Sequence, residues 1–249
     1  MILDDIVASS QRRAAALPES FPSSSHAPIS LRKAITQTRN NAVIAELKFA
    51  SPSRGVITQE KKTEAAITDM IQGGCCALSI LTEPDYFLGS PDTIPAIRES
   101  VPIPILRKDF IVDEHQLDET RSLGADAVLL ISSVLGDETE HFVKETQRRG
   151  LEPLLEVHTR KEARQAVDSG VELVGINNRD LKTFRTDLST TKNIAPILRQ
   201  AGLTVISASG MIWPCDIRSL HQYADGFLIG SSIMSSGNPR KRVEGFVYA

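Results

Sequence analysis

Eight short, nearly continuous apolar runs recur from residue 43 onward, and their spacing constrains the fold more than any other feature of the chain. They read VIAELK (43–48), ALSILT (77–82), IPILRK (103–108), AVLLIS (127–132), PLLEV (153–157), LVGIN (173–177), TVISAS (204–209) and GFLIG (226–230). Successive starts lie 34, 26, 24, 26, 20, 31 and 22 residues apart. Each step has room for one strand, one helix and two loops. Runs rich in branched apolar residues, without polar alternation, are expected of strands buried on both faces, as in a parallel sheet. Polar stretches between them, such as KKTEAAITDMIQGG and DETEHFVKETQRRG, end at glycine, which takes the left-handed cap of a helix. Gly124-Ala125-Asp126 and Gly170-Val171-Glu172 mark the same return into a strand.

Eight β/α units without a linker predict an α/β fold, a single closed (β/α)8 TIM barrel. An open doubly wound sheet would place a Gly-rich dinucleotide fingerprint after the first strand. No GxGxxG stands there. The 249 residues are then expected to form one domain, 1–249, with 1–42 as an N-terminal helical extension covering the barrel. Ile2, Leu3, Ile6 and Val7 have helical spacing, and PESFPSSSHAPIS (18–30) reads as an irregular connection.

Charge and composition exclude several classes. Lys and Arg total 28 against 31 Asp and Glu, so nucleic acid and anionic membrane are not expected partners. No run of 18 apolar residues is present, and MILDDIVASSQRR lacks the basic-then-apolar pattern of a secretory leader. A cytoplasmic protein is expected. Cys75, Cys76 and Cys215 are a poor disulfide framework and read as reduced thiols. With His26, His115, His141, His158 and His221 they form no CxxC, HxH or HExxH, so no metal is expected.

Barrel active sites lie at the C-terminal ends of the strands. With side chains alternating, Ile44, Glu46 and Lys48 share a face, as do Leu106 with Lys108, Leu154 with Glu156, and Gly175 with Asn177. If the apolar members point inward, Glu46, Lys48, Lys108, Glu156 and Asn177 converge on the mouth. Any one of them alone would read as a solvated strand-end charge or half of a salt bridge. Five at one level favour a site whose groups shift each other's titration for acid–base work. Ser209-Gly210 and Gly230-Ser231-Ser232 follow strands seven and eight, where small residues let backbone N–H groups approach a phosphate. Ser51-Pro52-Ser53-Arg54-Gly55 adds a hydroxyl and a positive charge after strand one. Phe87, Phe110 and Leu129 are candidate apolar walls, whereas Trp213 reads as a packed loop residue. Lys48, Arg54, Lys108, Arg179 and Lys182 should make the mouth positive toward an anionic substrate despite the net charge of −3.

The segments IAELKFASPSRG, ILTEPDYFLGS, PILRKDFIVDEHQL, GADAVLLI, LLEVHT, GINNRDLKTF, SASG and FLIGSSIM run in order through all eight strands. On these motifs the chain resembles the indole-3-glycerol-phosphate synthase family of tryptophan biosynthesis, over about residues 1–235. The resemblance implies a lyase that converts 1-(2-carboxyphenylamino)-1-deoxyribulose 5-phosphate to indole-3-glycerol phosphate, CO₂ and water, without cofactor or metal. It implies that Lys108 protonates the ketone oxygen as the ring carbon attacks. Glu156 and Lys48 would supply the acid and base of dehydration, the division between them left open. Glu46 and Asn177 would orient Lys108 and bind the sugar hydroxyl, and Arg179 would support the carboxylates. Ser209 would contact a substrate hydroxyl. Ser53, Gly210, Gly230 and Ser231 would hold phosphate, and Phe87, Phe110, Pro52 and Leu129 the anthranilate ring.

This chain departs from the family in reading Ala208-Ser209-Gly210-Met211 where Glu-Ser-Gly-Ile is usual, so one carboxylate is absent from the mouth. Its N-terminal segment is less basic, with Ser9, Ser10 and Gln11, which implies a looser lid. A monomer is expected, and contact with other pathway enzymes is left open. The competing readings are another phosphosugar barrel, such as phosphoribosylanthranilate isomerase, and a non-catalytic phosphate-binding barrel. The isomerase would need a Cys/Asp pair, and Cys75 and Cys76 precede strand two, at the wrong end.

Overall fold

The computed structural model describes residues 2–51, 55–57, 63–181 and 183–249. Eight strands form the closed parallel barrel: β1 (Ala42–Leu47), β2 (Ala77–Leu81), β3 (Ile105–Lys108), β4 (Ala127–Ile131), β5 (Glu152–Val157), β6 (Leu173–Asn177), β7 (Thr204–Ala208) and β8 (Gly226–Ile229). Each pairs with its neighbours in chain order. The ring closes where Ala42–Ala45 of β1 register with Gly226–Ile229 of β8. Strand bounds fall within one or two residues of the expected ones. The third strand starts at Ile105 rather than Ile103 because Pro104 has no N–H to give the ladder. A small antiparallel pair, Ala50–Ser51 with Gly55–Val56, follows β1.

Alternation along the strands divides the apolar residues into two cores. Ile44, Leu106, Leu129, Leu154, Ile206 and Leu228 fill the barrel. Val43, Leu78, Ile105, Val128, Val174 and Val205 face the helices. Burying each such side chain contributes about 1.5–3 kcal/mol, so both faces of every strand are held. The helix Thr139–Arg148 turns Phe142, Val143 and Thr146 inward, and Gly150 at φ 73° reverses the chain toward β5.

The extension places a helix at each end of the barrel. Helix α1 (Ile2–Ala15) lies across the C-terminal mouth, with Ile6, Ser9, Ser10 and Ala14 buried. Ser9 Oγ donates to the Asp85 carboxylate and Ser10 Oγ to the Phe110 carbonyl. Arg13 is ion-paired with Asp109 at 2.9 Å. The serines expected to loosen this lid therefore fasten it. Helix α2 (Leu31–Gln37) packs Leu31 and Ile35 against the opposite end of the barrel core. Residues 18–30 connect the two without helix or strand. Asp126, fully buried, holds that connection, accepting from Ile29 N and lying 2.7 Å from His26 Nε2.

Candidate active site

A cavity of about 280 Å³ opens at the C-terminal ends of the strands. Glu46, Lys48, Lys108, Glu156 and Asn177 all line it. The shared parity explains this, since Ile44, Leu106 and Leu154 beneath them point into the barrel.

Glu46 is the centre of the cluster. Lys48 Nζ lies 2.5 Å from its Oε1 and Lys108 Nζ 4.0 Å from its Oε2. Burial pushes the Glu46 carboxyl up, but Lys48, Lys108 and Arg179 outweigh burial and hold it below the usual carboxylate range. Opposite, Asn177 Nδ2 donates to Glu156 Oε1 at 3.0 Å, and Asn177 Oδ1 accepts from the Arg179 backbone N–H. Lys48, Lys108 and Arg179 thus share the mouth with two carboxylates.

Gly230 has a steric reason to be glycine. A Cβ built there would stand 2.3 Å from Glu46 Oε1 and 3.0 Å from Glu46 Cβ. Gly230→Ala is expected to displace this carboxylate and lower kcat/KM about a hundredfold, the order of loss that a 1 Å misplacement causes. Gly237→Ala, which points into open space, should leave steady-state kinetics unchanged.

Ser209, Gly210, Gly230 and Ser231 lie together on the cavity wall. Ser209 and Gly210 both have positive φ, and a Cβ at Gly210 would meet Thr186 Cγ2 at 2.4 Å. Ser232 Oγ donates to the Met211 carbonyl, tying the loops after β7 and β8 together. Phe87 and Phe110 form the aromatic wall, ring centroids 6.1 Å apart. Ala208, in register with Asn177, lines the cavity as an apolar residue.

Some expected residues fall elsewhere. Leu129 lies in the barrel core below the cavity; Ile131, two residues on, lines the wall instead. Pro52, Ser53, Arg54 and Lys182 lie outside the described residues. Trp213 is 58% exposed beneath the Arg242 guanidinium rather than packed away. Ile2, Leu3 and Ile6 of α1, which the sequence alone does not mark as site residues, also line the cavity. Nor does the sequence mark Glu83, a buried carboxylate that accepts from the N–H groups of Asp85, Tyr86 and Phe87 and so fixes the Phe87 turn. A carboxylate followed by proline at a helix start is the signal that could have found it. Among the described residues no group of three or more His, Cys, Asp or Glu is placed to hold a metal ion.

A family model described as indole-3-glycerol phosphate synthase matches residues 3–246. The chain belongs to this family. Indole-3-glycerol phosphate synthase from Carboxydothermus hydrogenoformans is 44% identical over 87% of this chain and 84% of its own length. The synthases from Aquifex aeolicus and Methanocaldococcus jannaschii are 43% and 42% identical, over 85% and 87% of this chain and 83% and 82% of their own. Among solved structures, thiamine phosphate pyrophosphorylase from Pyrococcus furiosus aligns with TM-score 0.62 at 16% identity, over 87% of this chain and 96% of that one. At that identity the likeness concerns the barrel and not the synthase chemistry. No helix among the described residues is long and apolar enough to cross a membrane.

Proposed function

We propose that this chain is an indole-3-glycerol-phosphate synthase, a decarboxylating and dehydrating lyase acting on 1-(2-carboxyphenylamino)-1-deoxyribulose 5-phosphate. The observation that carries the reading is the Glu46 cluster. Two ammonium groups share one buried carboxylate, facing Glu156 and Asn177 across a cavity with an aromatic wall and two small-residue loops. Family membership over residues 3–246 supports the substrate class.

Phosphate at Gly210, Gly230 and Ser231, with Ser209 on a sugar hydroxyl, anchors one end of the substrate. The anthranilate ring lies by Phe87 and Phe110. Binding energy at these distant ends holds the ring carbon against the ketone. As the ring carbon bonds to the carbonyl carbon, the carbonyl π pair moves to oxygen, and Lys108 protonates it. Its ammonium stabilises that developing charge. The carboxylate then leaves as CO₂, and the C–C bonding pair restores aromaticity. In dehydration an acid must enter protonated and a base ionised. Lys48, ion-paired to Glu46 at 2.5 Å, delivers a proton to the departing hydroxyl. Glu156, accepting from Asn177, takes the proton that completes the indole. Arg179 helps hold Glu46 ionised.

We read residues 1–249 as one domain with 1–42 as its covering extension, acting as a monomer in the cytoplasm. The test is to supply the carboxyphenylamino-deoxyribulose phosphate and follow indole fluorescence, with Lys108→Ala as control. Wild-type turnover that the substitution removes is expected. No wild-type turnover would favour a non-catalytic barrel, and turnover of phosphoribosylanthranilate instead would favour the isomerase.

A further inference from the structure

His158 stands two residues beyond Glu156, so both side chains leave the end of β5 on the same face. The imidazole is 12% exposed. Its Nε2 lies 3.5 Å from Glu156 Oε1, and its Nδ1 lies 3.7 Å from Glu162 Oε2. Neither ring nitrogen has a hydrogen-bond partner among the described residues. Glu162 belongs to the helix Arg160–Asp168 and is itself fixed, its Oε2 accepting from the His158 backbone N–H at 2.6 Å. Asp180, in the loop after β6, adds the field of a third negative charge at the ring. A neutral imidazole in this place would turn one lone pair toward a carboxylate oxygen. Only the imidazolium presents N–H to both carboxylates.

We propose that His158 is a cationic positioning residue for Glu156, presenting an N–H to that carboxylate while Glu162 holds the other side of the ring. The proposal rests on Glu156 being the base of dehydration. Electrostatics agree with the geometry. Burial pushes the ring's pKa down, but Glu162, Glu156 and Asp180 outweigh it and raise the pKa above the ordinary histidine value. The same pairing holds the Glu162 carboxyl low against its own burial. His158 reaches Glu156 from beyond the end of β5 and does not itself line the cavity.

Two measurements test it. The first is an NMR titration of the histidine Cε1–H resonances, His158 being the one missing from whichever of His158→Asn and His158→Gln folds. It should titrate above the ordinary histidine value in the wild type. In Glu156→Gln its midpoint should fall by about half a pH unit or more. An unchanged midpoint in Glu156→Gln overturns the proposal. The second is the pH profile of kcat in the folded His158 variant. Loss of the cation should move the acid limb upward by about half to one unit, with KM little changed. A purely structural role would alter thermal stability but leave that midpoint in place, and a superimposed profile counts against the proposal. A wild type with no turnover would instead overturn the synthase reading, while the ring titration would still decide whether His158 and Glu156 are coupled.

Discussion

Lys108→Ala is expected to lower kcat by about 10³- to 10⁴-fold, the combined scale of general acid catalysis and preorganised charge. The ammonium faces Glu46 at 4.0 Å in the cavity, and its side chain is 20% exposed. KM should change little, because Phe87 and the loops after β7 and β8 lie on other strands. The thermal midpoint should stay close to wild type, since Lys48 remains paired with the buried Glu46 at 2.5 Å. Lys108→Arg should not restore the rate, because a guanidinium retains charge but does not give up its proton. Single-turnover kinetics measure the chemical step directly. A loss confined to KM would show that Lys108 only binds.

Arg107→Ala should act on stability instead, at a cost of about 3–5 kcal/mol. Arg107 is 1% exposed on the opposite face of β3. Its guanidinium donates to Glu119 at 2.6 Å, Thr120 Oγ1 at 2.9 Å, the Gln116 carbonyl at 3.1 Å and Asp109 at 3.3 Å. Truncation leaves Asp109 buried with Arg13 as its remaining cation. Denaturant unfolding should show a lower midpoint with an unchanged slope. The pH dependence follows from Asp109. Burial pushes its carboxyl up, but Arg107, Arg13 and Thr82 outweigh burial and hold it below the ordinary value of 3.8. Its stabilisation is therefore fully present above that unfolded-state value and is lost as pH falls through the depressed folded one. Acid unfolding of Arg107→Ala should accordingly begin at higher pH.

Strand order and the five polar residues of the mouth were legible because they depend on two periods, one β/α unit and two residues along a strand. Glu46, Lys48, Lys108, Glu156 and Asn177 needed no more than that parity. Leu129 shows where parity stops. It has the right face but the wrong height, and height depends on how far each strand is staggered against its neighbour. Trp213 shows a second limit, because an exposed aromatic beneath Arg242 depends on a residue 29 positions away. Glu83 and His158 were passed over for a third reason. Their roles come from what their carboxylate and ring oppose in space, Phe87's turn in one case and Glu156 with Glu162 in the other. The lid departs from expectation in a similar way. Ser9 and Ser10 lack charge, yet Asp85 and the Phe110 carbonyl are placed to receive their hydroxyls.

The alternation on β3 has a consequence for how the chain can vary. Arg107, Lys108 and Asp109 are consecutive, yet the outer two hold helices and α1 while the middle one lines the cavity. The strand therefore has a reading frame. A single inserted residue before Arg107 would turn the ammonium into the helical layer and the guanidinium into the barrel, and one event would cost both folding and turnover. Substitutions at either parity can be sampled separately, so selection on rate and selection on durability act on interleaved but independent sites. Changes of length must be absorbed in the loops.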